Sequence, residues 1–561
     1  MGEFKRTLVT SALPYANGRI HIGHLAGAYL PPDIYVRYLR LKGEEVLFVS
    51  GSDEHGVPIT LRAMEEGTTP REVIDRFHQE NEAAFRAAEI DFDIYGRTSW
   101  PEHHQMTAEF FLKLHAQGYI EKQKIQQYYS EKVGMFLPDR YVEGVCPRCG
   151  KDARGDQCDH CGTTYEVTEL REPRSAVPGD GSTPVLKETV HWFLRLDLFQ
   201  ERLAQWLGTK GDWRSNTRGT ALSWLREGLR SRCVTRDSQW GVQIPLADPD
   251  TSGKCIYVWF DAPIGYVTNT RVWAERAGRP EAWRAYWQDA GTRLIHFIGK
   301  DNIPFHAIIF PAMLTGQETY ILPDVVVANE YLNFLRAGEA AAVKFSKSRG
   351  TVVEVGSFVE TFGSDRLRYY LTAIAPEGAD AEFSWIDFLH RTNGELADVL
   401  GNFVHRTLSF TMKTFEGRVP PGGEWTAADR AVLAAVGETR ATVGELIEHF
   451  QFRQAQIAML DLARLGNRYF DEQKPWATRK TDSARCAASI HVCLQLGLGL
   501  ARLMAPFLPR AARRLAEMLK VEPVGEAAWS RIGEERLEEG ALLGQPEILF
   551  PKLEPEDIPQ T

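Results

Sequence analysis

The sequence predicts an α/β chain, a parallel sheet with its helices, split by a cysteine-bearing insertion and followed by an all-α block. Three observations carry this. Strand and helix patterns alternate from residue 1 to about 115. Two Cys-x-x-Cys knuckles and the loop Pro178-Gly179-Asp180-Gly181 interrupt that pattern between about 117 and 235. From about 385 onward the residues run at helical period, with few strand signals until the tail. At roughly 150 residues per domain, 561 residues leave room for about three or four domains.

Each element follows in order. The apolar run Thr7-Leu8-Val9-Thr10 reads as the first strand, and Pro14-Tyr15-Ala16-Asn17-Gly18 as the turn after it. His21-Ile22-Gly23-His24 then opens a helix, which Gly27, Pro31 and Pro32 are expected to kink or restart. Glu45-Val46-Leu47-Phe48-Val49-Ser50 is a buried strand that runs into Gly51-Ser52-Asp53-Glu54-His55-Gly56. Polar groups at the carboxyl end of a parallel strand are where open α/β sheets bind ligands. After the insertion, strands resume at Cys255-Ile256-Tyr257-Val258-Trp259 and at Leu294-Ile295-His296-Phe297-Ile298-Gly299. No apolar run approaches the ~18 residues that span a bilayer, and the first residues lead straight into a strand, so no membrane and a cytoplasmic location are expected.

Two short signatures carry the chemistry. His21-Ile22-Gly23-His24 sits where a strand, a turn and a helix N-terminus meet, a place whose free N–H groups and dipole favour an anion. Gly23 removes a side chain where a ligand approaches, and the imidazoles of His21 and His24 can donate to phosphate oxygens. Far along the chain, Lys344-Phe345-Ser346-Lys347-Ser348 places two ammonium groups and two hydroxyls in five residues. Together they suit two basic clusters closing on the phosphates of ATP.

Charge is unevenly spread. The chain carries a net charge of −10, which argues against a protein coated in basic residues. Residues 451–520 nevertheless hold twelve Lys/Arg against five Asp/Glu, and 521–561 hold three against ten. A basic helical block of this kind can act as an electrostatic footprint for RNA. Of the eight cysteines, Cys146, Cys149, Cys158 and Cys161 form two knuckles with the spacing of a four-thiolate structural Zn²⁺ site. Cys233, Cys255, Cys486 and Cys493 are isolated and read as small apolar residues.

These motifs, with Ala12-Leu13-Pro14-Tyr15-Ala16-Asn17-Gly18, Trp259-Phe260-Asp261-Ala262-Pro263-Ile264-Gly265-Tyr266 and Phe297-Ile298-Gly299-Lys300-Asp301, resemble in order those of methionyl-tRNA synthetases of the bacterial one-zinc type, class I aminoacyl-tRNA synthetases. The resemblance covers essentially residues 4–555. It implies a Rossmann-like catalytic domain split by a zinc-knuckle insertion, then a helical anticodon-binding bundle. The boundaries it suggests are 1–116 and 236–330 for the catalytic halves, 117–235 for the insertion, 331–390 for the Lys-rich loop and stem-contact region, 391–550 for the bundle and 551–561 for a tail.

The resemblance also implies an activity: methionyl-adenylate made from methionine and ATP, then transfer of the methionyl group to the terminal adenosine of initiator and elongator tRNA(Met). By this likeness Ala12, Leu13, Tyr15, Trp259, Ala262, Pro263, Tyr266 and His306 line the methionine site, and Asp53 pairs with the α-ammonium. A polarizable, apolar substrate suits such an aromatic lining. Pro14, Tyr15, Asn17, Gly18, His21, Gly23, His24, Lys300, Lys344, Ser346 and Lys347 are implied at ATP, with Mg²⁺ on its phosphates. His21, His24 and Lys347 would stabilise the transition state, with Lys344 and Lys300 in support. Asn402, Arg406 and Trp476 match the family's anticodon readers.

Two positions depart from the pattern: Phe345 stands where the family loop has Met, and Phe310 where it often has Trp. The chain ends soon after Glu554-Pro555-Glu556-Asp557, so a monomer is expected. The alternatives weighed are a leucine, isoleucine or valine synthetase, an adenylyltransferase, and a non-catalytic RNA-binding paralogue. The first should carry a large editing domain, the second no helical half, and the third should have lost His21, His24, Lys344 or Lys347.

Overall fold

The computed structural model describes every residue except 1–3, 139, 140, 156, 157, 159, 162, 164, 340, 346–350, 524, 526, 560 and 561. Its central sheet has five strands in the order Val325–Asn329, Thr292–Gly299, Arg6–Ser11, Val46–Ser52, Ile94–Arg97. Arg6–Ser11 runs parallel to Thr292–Gly299, with Thr10 opposite His296, and Val46–Ser52 runs parallel to Ile94–Arg97. Leu8, Val9, Leu47, Phe48, Leu294 and Ile295 are all buried, as befits strands covered on both faces.

By compactness the chain divides into two units: Met1–Arg19, Val49–Ala83 and Phe92–Val327 form one, and Ile20–Phe48, Ala84–Asp91 and Ala328–Thr561 the other. In the first, a long antiparallel ribbon of Ile120–Ser130 and Val185–Leu194 leads to a small sheet of Val142–Val145, Asp152–Arg154 and Arg171–Ser175. The expected strand over 255–259 is corrected here. It ends at Ile256, and Val258–Asp261 turns as a short helix. A run of five apolar residues reads equally well as buried strand or buried helix.

In the second unit, Leu25–Tyr29 widens into a π-turn before the helix Leu30–Lys42 restarts at Pro31 and Pro32. The Gly27 carbonyl, whose helical partners one turn on would be Pro31 and Pro32, residues without an N–H, accepts from the Asn329 amide at 2.6 Å. The C-terminal helices, from Asn402–Thr414 to Pro509–Leu519, pack around Ser483–Leu503. That helix is long and apolar enough to span a bilayer, contrary to the reading that no segment is. It is the buried centre of the bundle instead, and two of its polar residues are satisfied from the tail: Gln495 exchanges hydrogen bonds with Leu537 (3.0 and 2.8 Å), and Arg502 pairs with Glu535 at 2.8 Å.

Candidate active site

The residues expected to line the methionine site all belong to the first unit. The strand order reverses between Arg6–Ser11 and Thr292–Gly299, and such a reversal opens a crevice at the carboxyl ends of the strands. The loops leaving those ends are stitched together. Ala12 donates to Phe297 O at 3.0 Å, Asp53 to Pro14 O at 2.9 Å, and Ala16 to Asp53 O at 2.8 Å. Asp53 therefore stands beside Tyr15. Its side chain is buried, and burial, with the charge of Asp261 added, raises its pKa well above the usual carboxylate range.

Aromatic rings wall this site. Tyr15 meets Trp259 edge-on at 6.2 Å, and Trp259 stacks on Phe305 at 3.9 Å. A Cβ on Gly265 would stand 3.0 Å from Leu13 Cδ2, so glycine makes room there for Leu13. Ala262 and Pro263 form the junction between Val258–Asp261 and the helix Ile264–Arg276. Tyr266 O–H lies 2.9 Å from His306 Nε2, and His306 Nδ1 lies 3.0 Å from Asn302 O. A carbonyl only accepts, so His306 carries its proton on Nδ1 and Tyr266 donates to Nε2. Burial pulls His306 down to about 4, leaving it neutral at pH 7. Phe310 is fully buried and meets Trp287 edge-on at 6.1 Å.

Two pocket neighbours escaped the sequence reading. Phe305, beside His306, is singled out only by its stacking on Trp259. His296 read simply as a strand residue. Its ring lies 5.3 Å from that of His306 and 5.4 Å from that of Tyr266, and its Nδ1 is 2.6 Å from Thr10 Oγ1.

Of the other residues expected at ATP, Asn17 and Gly18 lie in the same unit, where the Asn81 amide donates to Gly18 O at 3.2 Å. Lys300 opens the turn directly after Thr292–Gly299, at the strand reversal.

In the second unit the first signature meets Phe345 of the second. His21 caps the turn Ile22–His24 in a reciprocal arrangement: Gly23 N–H donates to His21 Nδ1 at 3.1 Å, and His21 N–H to His24 Nδ1 at 3.2 Å. Both Nδ1 atoms are acceptors, so each neutral ring carries its proton on Nε2. The two rings stack at 3.7 Å, and dense surroundings pull His24 down to about 4 although part of it reaches solvent.

Phe345 stacks on His21 at 5.0 Å, and Ile22 N–H donates to Val353 O at 3.0 Å. A Cβ on Gly23 would stand 3.0 Å from the His21 ring and 3.1 Å from Phe345 Cδ2, a physical reason for glycine at this position. Phe345 thus replaces the family's flexible Met with a flat ring laid on an imidazole. Lys344 is exposed, its Nζ 4.8 Å from the centre of the Tyr331 ring. Ser346 and Lys347 lie outside the described residues.

The four knuckle cysteines converge, their sulfur atoms all within 4.8 Å of one another. Cys146 and Cys161 are 3.9 Å apart and Cys149 and Cys158 3.6 Å. A tetrahedron of Zn–S bonds about 2.3 Å long has edges of roughly 3.8 Å, so the donor set fits one Zn²⁺. Hydrogen bonding from Thr163 draws the Cys161 thiol down to about 6, toward the thiolate that a metal requires.

The three anticodon candidates also come together. Asn402 and Arg406 lie one turn apart on Asn402–Thr414. Asn402 donates to Asn467 at 3.2 Å, and Arg406 lies 4.1 Å over the Phe470 ring while pairing with Asp471 at 2.6 Å. Trp476 stacks on the same Phe470 at 6.1 Å and is 44% exposed, so it is not a core residue. Asn467, Phe470 and Asp471 were missed because they read as an ordinary helix face. Much of the basic block is neutralised internally: Arg485 pairs with Asp429, Arg510 and Arg513 with Glu89, and Arg514 with Glu547. Lys474, Arg479 and Lys480, around Trp476, stay exposed.

Comparison with known proteins agrees. A model described as "tRNA synthetases class I (M)" matches residues 7–408, and one described as "Anticodon binding domain of methionyl tRNA ligase" matches 419–560. The fold and the paired signatures thus define a class I tRNA synthetase. The chain belongs to the methionyl-tRNA synthetase family within that class.

It is 48% identical to the methionine--tRNA ligase of Parabacteroides distasonis over 98% of this chain and 79% of that protein. With that of Chloroherpeton thalassium the identity is 46%, over 100% of this chain and 80% of the relative. Among solved structures, Mycobacterium tuberculosis methionyl-tRNA synthetase in complex with methionyl-adenylate is 28% identical, with a TM-score of 0.79 over 98% of this chain and 100% of that one.

Proposed function

We infer that this chain joins methionine to tRNA(Met), initiator and elongator alike, through methionyl-adenylate, with AMP and pyrophosphate as products. The observation that carries the reading is an aromatic pocket closed around the buried carboxylate of Asp53, in a chain of this family. An apolar thioether side chain suits the rings of Tyr15, Trp259 and Tyr266, and an α-ammonium suits Asp53.

The first step is in-line attack of the methionine carboxylate on the α-phosphorus of ATP, and no side-chain nucleophile enters. Positioning and charge stabilisation do the work. The Nε2–H donors of His21 and His24, with Lys344 and Lys347, meet the phosphate oxygens as charge builds. Lys300, Asn17 and Gly18 hold the nucleotide, whose phosphates would carry Mg²⁺ as a neutralising counter-charge. In the second step the 2′-hydroxyl of the terminal adenosine attacks the activated carbonyl. Asn402 and Arg406 pair with base edges of the CAU anticodon, and Trp476 stacks on one of its bases. The working form is a cytoplasmic monomer.

Charging of a tRNA(Met) transcript with labelled methionine tests the whole reaction. Charging that needs ATP and fails when CAU is exchanged for another anticodon is expected. Equal charging of both transcripts would remove the role of Asn402, Arg406 and Trp476. One Zn²⁺ per chain, held by Cys146, Cys149, Cys158 and Cys161, is a structural element. Metal analysis of purified protein without zinc, with four freely reactive thiols, would count against it.

A further inference from the structure

A group of buried ionisable residues behind Asp53 has no part in the scheme above. Asp261, on the short helix Val258–Asp261, is fully buried, and its Oδ2 lies 2.5 Å from His55 Nδ1. The same oxygen is 3.6 Å from His103 Nε2, on the helix Pro101–Ala116. His103 Nδ1 lies 3.2 Å from Thr268 Oγ1, so a third helix, Ile264–Arg276, braces the far side of the group. Among the described residues, Asp261 Oδ1 has no hydrogen-bond partner although it is buried.

Three such ligand atoms invite a metal reading, which the geometry rejects. Two ligands of one ion at bonds of about 2.0–2.1 Å stand roughly 3.3 Å apart in a tetrahedral site. At 2.5 Å, Asp261 and His55 stand too close for two ligands of one ion and are joined by a direct hydrogen bond.

The group connects to the substrate end through the chain itself. His55 is two residues past Asp53, and its backbone N–H faces Asp53 Oδ1 at 3.4 Å. The clasp that fixes the His55 ring therefore fixes the peptide that faces the Asp53 carboxylate. Burial works against charge on Asp261, but His55 and His103 outweigh it and hold its pKa below the usual range, so Asp261 stays ionised. The charge of Asp261 acts on Asp53, so an ammonium paired with Asp53 lies in the field of a second carboxylate. Glu54 does not compete, since Arg97 binds it at 2.7 Å. His104, 5.2 Å from His55 ring to ring, is drawn down to about 4 by burial and adds no positive charge at pH 7.

We propose that Asp261, clasped by His55 and His103, is a positioning residue for the α-ammonium of the amino-acid substrate, acting through His55 to aim Asp53 and adding the site's second negative charge. The inference rests on the reading of Asp53 as the ammonium partner.

The test separates the two. Asp53→Ala and Asp261→Asn are assayed by ATP–pyrophosphate exchange for methionine KM, ATP KM and kcat. Binding of methioninol, which keeps the amine, is compared with that of 4-(methylthio)butyrate, which lacks it. Asp261→Asn should raise methionine KM about tenfold, weaken methioninol similarly, and leave ATP KM and the desamino acid within twofold. If Asp53→Ala itself leaves methionine KM unchanged, the underlying reading fails. If Asp53→Ala raises it and Asp261→Asn does not, the present inference alone fails.

Should Asp261→Asn unfold, His55→Asn and His55→Leu take its place, because an Asn amide can donate from near the Nδ1 position. His55→Asn should keep methionine KM within threefold of the wild type, and His55→Leu should raise it tenfold. Equal effects of the two would make His55 a packing residue and overturn the proposal.

Discussion

The amino-acid pocket and the phosphate cluster solve opposite problems. In the pocket, Asp53, Tyr266 and His306 are 3%, 1% and 6% exposed, and burial displaces the ionisation of each. In the cluster, His24 and Lys344 reach solvent, and although His24 too is pulled down to about 4, the work is done by orientation, since a capping arrangement sets which nitrogen of each imidazole carries the proton. A small, mostly apolar ligand is best recognised where water is excluded and one charge is matched. A polyanion is best met by donors already aimed and still wet, because stripping several charges of water would cost more than the contacts return. One region selects by desolvation and the other by aim.

That contrast breaks first at Asp53. Asp53→Ala should cost roughly 3–5 kcal/mol, the scale of stranding one charge of a buried pair. The loss should show as a raised methionine KM with ATP KM nearly unchanged. A change confined to kcat would place Asp53 with the phosphate chemistry instead.

His24→Ala is the mirror experiment. Losing one preorganised donor should lower kcat for exchange by about 10²–10³, with methionine KM within a few-fold. A rise in methionine KM and an intact kcat would dissolve the distinction between the two regions.

Trp476→Ala should leave exchange intact and weaken tRNA charging by ~1–3 kcal/mol, the value of stacking one base. Parallel loss of both activities with earlier thermal unfolding would make Trp476 a core residue after all.

The smallest effect concerns pH. The raised pKa of Asp53 means that the empty pocket favours the protonated carboxyl, while the α-ammonium needs the ionised one. Methionine affinity should therefore climb as pH rises toward that pKa, and binding below it should release a proton. Calorimetry at pH 6 in two buffers of different ionisation enthalpy reads this directly. Identical heats would show that Asp53 is already ionised.

How much of this was legible in residues alone follows the same divide. The phosphate signatures and the cysteine knuckles are short and local, so their residue types and spacing announced the chemistry. That Phe345 stacks on His21, and that both Nδ1 atoms are occupied, depends on contacts no spacing encodes. In the pocket, Trp259 and Tyr266 came from the family likeness, whereas Phe305, His296 and the clasp on Asp261 needed three-dimensional neighbours. The run 255–259 misled because apolar strand and apolar short helix share one pattern. The basic block misled in part because its partners, Glu89 and Glu547, lie outside its own stretch.

Amino-acid-dependent ATP–pyrophosphate exchange, run on the intact chain with each of the twenty amino acids, tests the central claim most directly. The account predicts exchange with methionine at least about 10²-fold above leucine, isoleucine and valine, since each must fill a pocket shaped by Tyr15, Trp259 and Tyr266 for an unbranched thioether. Exchange with a branched aliphatic amino acid at a comparable rate, or none with methionine, would contradict it.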